Sequence, residues 1–582
     1  MAPIDKESPI NDPKFTYVVG IDFGTTYSGA AYVFTKPGSN KEICDILKWP
    51  LNSGTNLVKI PTAIRYHKQD LEKYICALEV SENKSRIKEY DPINYLFKLH
   101  LHEDTRDGIP DLPEGKTVTQ VIADYLRYLH THICSEMKRN LGTKVENEEN
   151  LKSSIRYCIT VPAIWSSKAK SVMRQATILA GIIDEHDHVD RLVMVGEPEA
   201  AALYAENMSG GVKIASGKTL MIVDAGGGTI DLTTFEKTIE GETKCFKEIT
   251  EGIGNTYGSS RLDLNFKEYI LQKMEHYPAL IPIQLVNLVD DFRKRVKIDF
   301  GDMHEDRVYF DVVYHGQIRD DGFSLDEKGL TISTKVLEAE VFNPVIQEVI
   351  QLVQFQLDRL NGTPLDYIII VGGFGQNKYL IEKIKENFAS KVGDVIVPDG
   401  GEVAVTRGAV YFGLDPYSIS HRRMRLTYGI NISSPFIEGV DRLDYKRTDS
   451  EGKDICINRF DAIVKKGDDV SIQNGYTRTY YTFNSGACHL KIYGYDDDTV
   501  PRYVSDTVLR NGSKTVKTNE DSGNEAYKVA EFVFNLPEGK PGKKTEFTMT
   551  MFFGHMEIKV EVALPGVDKK ETFTASYDHR AS

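Results

Sequence analysis

The sequence predicts an α/β protein followed by a β-rich C-terminal domain. One pattern occurs twice, in "VVGIDFGTTYSGAAYVF" (18–34) and "KTLMIVDAGGGTIDLTTFE" (218–236): an apolar strand, an aspartate, small residues with threonine, and a second β-prone run. Helical spacing follows several predicted strands, which is typical of α/β proteins. Beyond about residue 416, alternation and glycine turns replace helical spacing, as in "MEIKVEVAL" (556–564).

Length, charge and cysteine usage narrow the class of protein. With 582 residues the chain is expected to form two or more cores. Its 71 Lys and Arg against 85 Asp and Glu give a net charge of −14, and it has no long cationic block, so a nucleic-acid partner is not expected. The seven cysteines are scattered without a zinc spacing, which indicates a reduced compartment.

The N-terminus and the overall hydropathy indicate a cytoplasmic protein with no membrane partner. The polar start "MAPIDKESPINDPKF" predicts a disordered lead over 1–14 rather than a signal peptide. A run of about 18 apolar residues, the length that a membrane helix needs, does not occur in the sequence.

The first elements alternate between strands and helices. After the first hairpin (15–35), residues 116–139 predict a helix, and "IRYCITVPAIW" predicts a strand that ends at Pro162. A helix is expected from near Lys168. The stretch "RLVMVGEPEAAALYAENM" (191–208) predicts a strand, a Gly-Glu-Pro corner and a helix, which brings Glu197 to a strand end.

Two further units lie between the second hairpin and residue 416. Residues 336–360 predict one long amphipathic helix that ends at "NG" (361–362). The stretch "DYIIIVGGFGQNKYLIEKIKENF" (366–388) predicts a strand, a double-glycine turn and a helix. A domain boundary is placed near residue 416.

The first hairpin predicts a site for the phosphates of a metal-bound nucleotide. The small residues Gly24, Thr25 and Thr26 can offer N–H and hydroxyl donors to phosphate oxygens. Asp22 would repel a phosphate in direct contact, but it can hold a Mg²⁺ ion through water. The hairpin therefore predicts a terminal-phosphate site with a hydrated metal.

The second hairpin supplies a matching set of groups. Its glycines allow close approach of the backbone, its threonine offers a hydroxyl, and its aspartates add carboxylates: Gly226, Gly227, Gly228, Thr229, Asp224 and Asp231. Either hairpin alone is also explained by an ordinary turn. The two together, with the Gly-Glu-Pro corner and the Val-Gly-Gly turn, favour a clamp around a triphosphate.

Six motifs carry a resemblance to a known family, in order over residues 15–415: "GIDFGTTYSGAAY", "ITVPAIW", "GEPEAAALYA", "VDAGGGTIDLTTFE", "IIIVGGFGQNKYL" and "AVTRGAVYFGL". They resemble the actin-like ATPase superfamily and, within it, the 70-kDa heat-shock (DnaK-type) proteins. The form of "VPAIWSSKAKSVMRQA", with added residues between Pro162 and Arg174, is similar to the divergent member-12 branch and its fungal relatives.

The resemblance implies a fold and its ligands. The fold is a duplicated, ribonuclease H-like, two-lobe ATPase domain at 15–415, with lobe I at about 15–215 and 371–415 and lobe II at about 216–370. A β-rich C-terminal domain follows at 416–582. The implied cofactors are ATP or ADP and Mg²⁺, and a nucleotide-exchange partner is a further expectation.

The resemblance also implies roles for individual residues at the phosphates. The metal, held mostly through water, is assigned to Asp22, Asp224, Asp231 and Glu197. The phosphates are assigned to the two motif turns, which include Tyr27, and Thr229 is assigned to the γ-phosphate. The catalytic set is Asp224 as proton acceptor or water positioner, with Glu197, Thr229 and the family's lysine at Lys98. An exposed lysine on an amphipathic stretch is the alternative for Lys98.

For the nucleoside, the resemblance assigns Gly372 and Gly373 to the adenosine, and Asp291, Lys294 and Arg295 to the ribose and adenine. An exposed charged helix face is the alternative for the latter three. Gln376 stands where the chaperones have an arginine that stacks on adenine, which predicts weaker affinity. Pro162 and Arg174 match the family's relay between domains, although the residues added between them depart from its pattern.

The C-terminal part keeps only a faint likeness to a chaperone peptide-binding domain, mainly in "FDAIVKKGDDV" (460–470). A β-sandwich that binds a protein client or partner is expected.

Four functions remain open from the sequence. The first is an ATP-hydrolysing, chaperone-like switch. The second is a nucleotide-binding regulatory or scaffold protein with little hydrolysis. A small-molecule kinase of the same fold is less favoured, because the motifs are of the chaperone type and an added β-domain does not serve a kinase. A filament former of the actin or FtsA kind is also open, although no terminal amphipathic membrane helix supports the FtsA version.

Overall fold

The computed structural model describes most of the chain as a mixed α/β protein with several sheets, as predicted. The predicted lead 1–14 and most of the acidic loop at 144–150 lie outside the described residues. The described residues are 15–36, 42–51, 56–82, 89–102, 109–142, 148–208, 213–241, 243–277, 280–449, 451–482, 486–505, 525–536, 545–564 and 571–574.

The first large sheet contains the first hairpin. Tyr17–Phe23 pairs antiparallel with Tyr27–Phe34 and parallel with Ile155–Val161, which is parallel to Leu192–Gly196. Because the carboxyl ends of parallel strands lie at one edge, Asp22, Pro162 and Glu197 are brought to the same side. The two short strands Cys44–Asp45 and Ile60–Pro61 both pair with Tyr27–Phe34.

The second large sheet repeats this arrangement around the second hairpin. Thr219–Ala225 pairs antiparallel with Ile230–Glu240 and parallel with Tyr367–Val371. The sheet order is Asp394–Ile396, Tyr367–Val371, Thr219–Ala225, Ile230–Glu240, Thr243–Glu248, Ile419–Arg423 and Asp469–Ser471, with Ile253–Asn255 also paired to Ile230–Glu240. Asp224 therefore ends a buried central strand, as Asp22 does in the first sheet.

The predicted helices form, with one exception. The α-helices of ten or more residues are Val118–Leu141, Ser167–Leu179, Glu197–Asn207, Ser260–Lys273, Pro282–Asp291, Asn343–Asp358, Lys378–Phe388 and Ala404–Leu414. Shorter α-helical segments are Glu79–Glu82, Glu148–Ser153, Lys297–Asp299 and Thr334–Leu337, and π-helical turns are Phe292–Val296 and Glu338–Phe342. The 3-10 turns include Phe97–Leu101, Val189–Arg191, Phe374–Gln376, Gly401–Val403, Pro416–Ser418 and Leu443–Tyr445.

The exception is the predicted continuous helix at 336–360, which is interrupted. The segment Glu338–Phe342 is a π-turn in which the N–H of Asn343 donates to the carbonyl of Glu338. Pro344 follows directly and has no N–H to donate to the preceding turn, so the regular hydrogen-bond ladder restarts after it. The helix then runs to Asp358.

The helix Ala404–Leu414 packs against both the first hairpin and the helix that begins at Glu197. Its Gly408 lies where an added Cβ would be 1.8 Å from the carbonyl of Ala200, in the helix that begins at Glu197. A Cβ on Gly20 would be 2.8 Å from the carbonyl of Thr406 in the same helix. These close approaches hold the first hairpin and the Glu197 helix in a fixed relation.

The remaining sheets are smaller. A four-stranded sheet follows the order Arg307–Phe310, Gly329–Ser333, Phe323–Asp326 and Ile318–Asp320, and a three-stranded sheet the order Asp70–Cys76, Ala63–His67 and Asn94–Tyr95. Toward the C-terminus one sheet contains Thr427–Pro435, Ala487–Tyr495, Glu525–Asn535, Tyr503–Ser505, Asp454–Val464 and Lys446–Thr448, and another contains Tyr476–Thr482, Thr545–Phe552, Lys559–Ala563 and Glu571–Thr574. These two sheets bury a shared apolar core that includes Ile492, Phe532, Met549 and Val560.

The predicted boundary near residue 416 stays a prediction, and hydrogen bonding runs across it. Ile419–Arg423 pairs parallel with Thr243–Glu248, and Asp469–Ser471 pairs antiparallel with Ile419–Arg423. The second large sheet therefore includes two strands from the β-rich part of the chain.

Candidate functional site

The turns of the two hairpins are in direct contact. A Cβ added to Gly227 would lie 1.9 Å from Oγ1 of Thr26, and one added to Gly228 would lie 2.4 Å from Cβ of Thr25. Only glycine allows this approach. The structure thus brings the two motifs to one place, and most of Thr25 is buried there while Tyr27 is half exposed.

Four carboxylates lie buried beside these turns: Asp22, Glu197, Asp224 and Asp231. Burial, together with the charges of Glu197, Asp231 and Asp22, holds the pKa of Asp224 well above its usual range. Burial and the Glu197 charge raise the pKa of Asp231 to about 7. The mutual repulsion shows that this site has an excess of negative charge, which a cation would relieve.

Lys98 lies inside this site, so the alternative of an exposed lysine is wrong. Its side chain is 2% exposed, and its Nζ lies 2.8 Å from Oε1 of Glu197. The ammonium group also faces the rings of Phe23 and Trp165, at 5.6 Å and 5.1 Å from their centroids. The turn that carries Lys98 follows Leu96, which has a left-handed backbone with φ of 59°. The pair thus gives each of the two buried charges a direct counter-charge.

A second lysine at the site, the partly buried Lys59, was not expected from the sequence. Its Nζ lies 2.6 Å from Oδ2 of Asp22. Burial lowers the pKa of Lys59, but the charge of Asp22, with Asp224 and Glu197 beyond it, raises that pKa by more. In the sequence Lys59 is a lone cation in an apolar stretch before Pro61, a pattern that carries no signal for a phosphate or metal site.

A small network holds the first turn. The N–H of Thr62 donates to the carbonyl of Thr26 at 2.8 Å, and its hydroxyl donates to the carbonyl of Gly24 at 2.8 Å. Thr62 also shares a 2.7 Å hydrogen bond with Ser28. These contacts fix the turn, so the donors predicted at Gly24, Thr25 and Thr26 are positioned in advance.

Comparison with known proteins identifies the family. A family model described as Hsp70 protein matches residues 108–414, a little over half of the chain. The chain belongs to the Hsp70 family. Its matched segment is the family's actin-like ATPase domain, which binds ATP or ADP.

Full-length relatives place this Hsp70 protein in a divergent group, as the motifs predicted. Heat shock 70 kDa protein 12A from Homo sapiens is 25% identical over 609 aligned residues, covering 89% of this chain and 87% of the relative. Heat shock 70 kDa protein 12B from Homo sapiens is 24% identical, covering 94% and 89%. Heat shock 70 kDa protein 13 from Rattus norvegicus is 22% identical, covering 70% and 89%.

The residues present in this Hsp70 protein fit a hydrated divalent cation. Oδ2 of Asp231 is buried and receives no hydrogen bond, and the surrounding oxygens are the ligand type that Mg²⁺ prefers. Among the described residues, no three His, Cys, Asp or Glu side chains converge closely enough to bind an ion directly. A metal at this site would therefore be held largely through water.

The turn after Tyr367–Val371 approaches the same carboxylates. Gly372 has a positive φ of 85°, and a Cβ there would lie 2.5 Å from Oδ1 of Asp224. A Cβ on Gly373 would meet nothing within 4 Å, so Gly373 borders open space. The assignment of both glycines to adenosine stays a prediction. Gln376 packs against Gly401, where a Cβ would be 2.3 Å from its Nε2.

The predicted ribose and adenine residues form an exposed set of helical ion pairs. Arg295 donates to Asp291 through two nitrogens, at 3.1 Å and 2.6 Å, and the side chain of Lys294 is 75% exposed. Arg293 and Lys297, on the other side of this helical segment, both bind Asp263. The roles of Asp291, Lys294 and Arg295 at the nucleoside stay predictions.

Arg293 and Lys297 are candidates that the sequence reasoning missed. Lys297 donates to Oδ1 of Asp263 at 2.8 Å, and Asp263 lies on the helix that starts after Gly258. A Cβ on Gly258 would lie 2.6 Å from backbone atoms of Gly227. A helical reading of "DDFRKRVKI" that separated its two faces could have found them, because Arg293 and Lys297 are four residues apart.

A chain of contacts connects the site to the β-rich part. The N–H of Ala163, next to Pro162, donates to Oδ1 of Asp231 at 2.8 Å. On the helix that follows, Arg174 donates through two nitrogens to Glu557, at 2.7 Å and 2.6 Å. Despite the residues added before it, Arg174 thus contacts the C-terminal part directly, in the connection between Thr545–Phe552 and Lys559–Ala563.

A second buried ion pair links the Glu197 helix to the strand Ile419–Arg423. Arg422 donates through two nitrogens to Glu199, at 2.6 Å and 2.8 Å, and also binds the carbonyl of Gly554. Glu199 accepts a further hydrogen bond from the N–H of Gly196. Beside this pair lies a cavity of about 80 Å³, whose lining includes Lys170, Glu199, Glu248, Arg422, Tyr428 and His555.

None of the described helices is both long and apolar enough to cross a membrane.

Proposed function

We propose that this Hsp70-family protein binds Mg-ATP between the two hairpin turns, hydrolyses it to ADP and phosphate, and transmits the nucleotide state to a C-terminal β-domain that binds a protein partner. The carrying observation is the contact between the Thr25–Thr26 turn and the Gly227–Gly228 turn beside four buried carboxylates. The proposal includes the two-lobe arrangement of an actin-like ATPase, with one large sheet in each lobe.

The turns bind and orient the phosphates. The backbone N–H groups of both turns and the hydroxyls of Thr25, Thr26 and Thr229 are the donors for the phosphate oxygens. Asp22 and Asp231, with Glu197 and Asp224, are the carboxylates that would hold a hydrated Mg²⁺ ion. When bound, this ion supplies positive charge that offsets the charge of the β- and γ-phosphates.

Asp224 and Lys98 are the residues of this chain that act on the attacking water and the transferring phosphoryl group. Asp224, whose pKa is raised by burial and by its acidic neighbours, orients a water and accepts its proton as the water oxygen bonds to the γ-phosphorus and the bond to the bridging oxygen of ADP breaks. Lys98, held by Glu197 at 2.8 Å, places a positive charge beside the transferring group.

Single-turnover ATP hydrolysis tests the proposal. We expect Asp224→Asn and Lys98→Ala each to slow hydrolysis by about 10² or more, because a general base and a preorganised charge are each worth that much. The Lys383→Met variant is the matched control, since the partly exposed Lys383 pairs with Glu386 and faces the ring of Tyr379, and neither residue belongs to the proposed site. Activity that is indifferent to both site changes contradicts the proposal.

A second function, nucleotide binding with little hydrolysis, is favoured by the ion pair between Lys59 and Asp22. An ammonium at 2.6 Å shares the carboxylate that the metal would use. The same assay decides: tight ATP binding with hydrolysis no faster than in the Asp224→Asn variant supports this regulatory function. Phosphoryl transfer to a sugar that is faster than transfer to water would instead support a kinase.

Coupling to the C-terminal part has its own test. Hydrogen exchange across 416–582 is expected to change when ATP replaces ADP, because Arg174 and Arg422 connect the two parts. Exchange that is the same in both states contradicts the coupling and leaves the ATPase proposal intact.

A further inference from the structure

Lys59 reaches Asp22 because of where its strand pairs. Ile60–Pro61 pairs with Tyr27–Phe34, with Ser28 opposite Ile60, so Lys59 is carried alongside the first turn. Its side chain is 19% exposed, whereas that of Asp22 is 5% exposed. The ammonium therefore lies at the boundary between the carboxylates and the open side of the site.

The aliphatic part of the Lys59 side chain packs against Gly29, where any larger residue would be too close. A Cβ on Gly29 would lie 3.0 Å from Cγ of Lys59 and 2.7 Å from the carbonyl of Val58. Thr62, three residues after Lys59, is fixed by its hydrogen bonds to the turn at Gly24 and Thr26. The segment that carries Lys59 is consequently fixed, and packing restricts the Lys59 side chain to a conformation that contacts Asp22.

The charge of Lys59 has a direct chemical use at this position. An ammonium is a strong donor to phosphate oxygens and neutralises their charge as a point cation. It also occupies the carboxylate through which a hydrated Mg²⁺ ion would be held. The ammonium group of Lys59 can therefore neutralise phosphate charge without a bound metal. The same group competes with the metal for the carboxylate of Asp22.

We propose that Lys59 is a resident counter-ion of the nucleotide site, which lets this chain bind nucleoside di- and triphosphates with only a weak dependence on Mg²⁺. This inference rests on the proposed nucleotide site and specifies its metal requirement. Removal of Lys59 frees Asp22 for the metal and makes nucleotide binding depend on it.

Calorimetry with ATP and ADP, in Mg²⁺ and in EDTA, tests the inference. For the unaltered full chain, we expect affinity to fall by less than about tenfold when Mg²⁺ is removed, a difference of about 1.4 kcal/mol. For Lys59→Met, we expect the loss in EDTA to exceed about 100-fold while affinity in Mg²⁺ changes by less than about tenfold. Lys59→Arg retains the charge and is expected to resemble the unaltered chain in EDTA more closely than Lys59→Met does.

A second measurement needs no nucleotide. Mn²⁺ alone, followed by electron paramagnetic resonance, is expected to bind Lys59→Met more tightly than the unaltered chain, because Oδ2 of Asp22 then has no ammonium partner. Lys383→Met is the control for removal of a lysine charge outside the site and is expected to match the unaltered chain.

The possible failures are distinguishable. If the unaltered chain binds ATP in Mg²⁺ but loses more than about 100-fold in EDTA, the inference is overturned and the proposed nucleotide site stands, and this result needs no variant. Equal losses for Lys59→Met in both buffers also overturn it. If the unaltered chain binds no nucleotide in either buffer, the nucleotide site and the inference fall together.

Discussion

At the residue scale, Lys98 and Glu197 form a pair whose members depend on each other. Both side chains are buried, at 2% and 8% exposure, and Nζ lies 2.8 Å from Oε1. Removal of one partner takes away the counter-charge that the other contacts inside this buried site, which costs about 3 kcal/mol or more. The pair is therefore expected to contribute to the stability of the folded chain.

A double-mutant cycle measures this pair. We expect Lys98→Met to lower the free energy of unfolding by about 3 kcal/mol, and Lys98→Met with Glu197→Gln to recover much of that loss, because neither position then carries a charge that has lost its partner. Urea unfolding gives the values. Additive effects of the two changes would show that the pair contributes no coupling energy.

The contact between the turns gives a second prediction at this scale. Gly228→Ala places a Cβ 2.4 Å from Thr25, so one turn must move, and we expect a loss of about 1–3 kcal/mol in the free energy of unfolding. Gly373→Ala is the matched control, because its Cβ would meet nothing within 4 Å. Thermal unfolding of both variants checks this; equal melting temperatures would mean that the turns are not in close contact.

Individual site residues were predictable where the signal was local. Asp22 and Asp224 each follow an apolar strand and precede small residues, so the sequence was enough to single them out. Lys59 was not predictable, because its distance to Asp22 depends on the pairing of Ile60–Pro61 with Tyr27–Phe34. Arg422 was missed for the same reason, since its partner Glu199 lies more than 200 positions away.

At the scale of elements, periodicity and capping predicted most of the fold. The helix Val118–Leu141 is capped by Thr117, whose hydroxyl accepts a hydrogen bond from the N–H of Gln120. The apolar face of this helix packs into the core beside the first large sheet, as its periodicity predicted. The π-turn before Pro344 was missed, because a hydrophobic pattern reports the face of a helix and not its hydrogen-bond ladder.

The helix Ser167–Leu179 connects the site to the C-terminal strands, and it gives a prediction at this scale. Arg174→Met leaves Glu557, which is 10% exposed, without its counter-charge. We expect hydrogen exchange to rise in Thr545–Phe552 and Lys559–Ala563, the strands on either side of Glu557, with a smaller change in the first hairpin. Glu557→Gln is the control that removes the opposite charge, and unchanged exchange in both variants would mean that the pair does not hold these strands.

At the scale of the whole molecule, the β-rich part is built into the α/β part. Ile419–Arg423 extends the second large sheet, and Arg422 neutralises Glu199 in the helix that begins at Glu197. A change in composition near residue 416 marks where helical spacing ends in the sequence, but strand pairing between distant segments leaves no such local signal. Strand pairing and a buried ion pair thereby join the site to the sheets that follow it.

Two groups that line the cavity at this junction, Lys170 and Glu248, are expected to make the stability of the protein depend on pH. Burial, with the charges of Arg425 and Arg422, lowers the pKa of Lys170 to about 7, against attraction from Glu199 and Glu557. Burial also raises the pKa of Glu248 to about 7. Two groups that ordinarily titrate far apart therefore both titrate near neutral pH in the folded state.

The two groups have opposite effects, and their variants serve as controls for each other. Between pH 7 and pH 10.5 unfolded Lys170 binds a proton that the folded form has released, so its contribution to stability rises with pH. Between pH 4.5 and pH 7 folded Glu248 retains a proton that the unfolded form has lost, so its contribution to stability falls as pH rises.

We therefore expect Lys170→Met to have a higher free energy of unfolding than the unaltered chain at pH 6, with the difference closing toward pH 10. Glu248→Gln should be more stable at pH 8, with the gap closing toward pH 4.5. Urea unfolding across this pH range checks both predictions. Differences in the free energy of unfolding that stay constant with pH would show that neither group has a shifted pKa in the folded state.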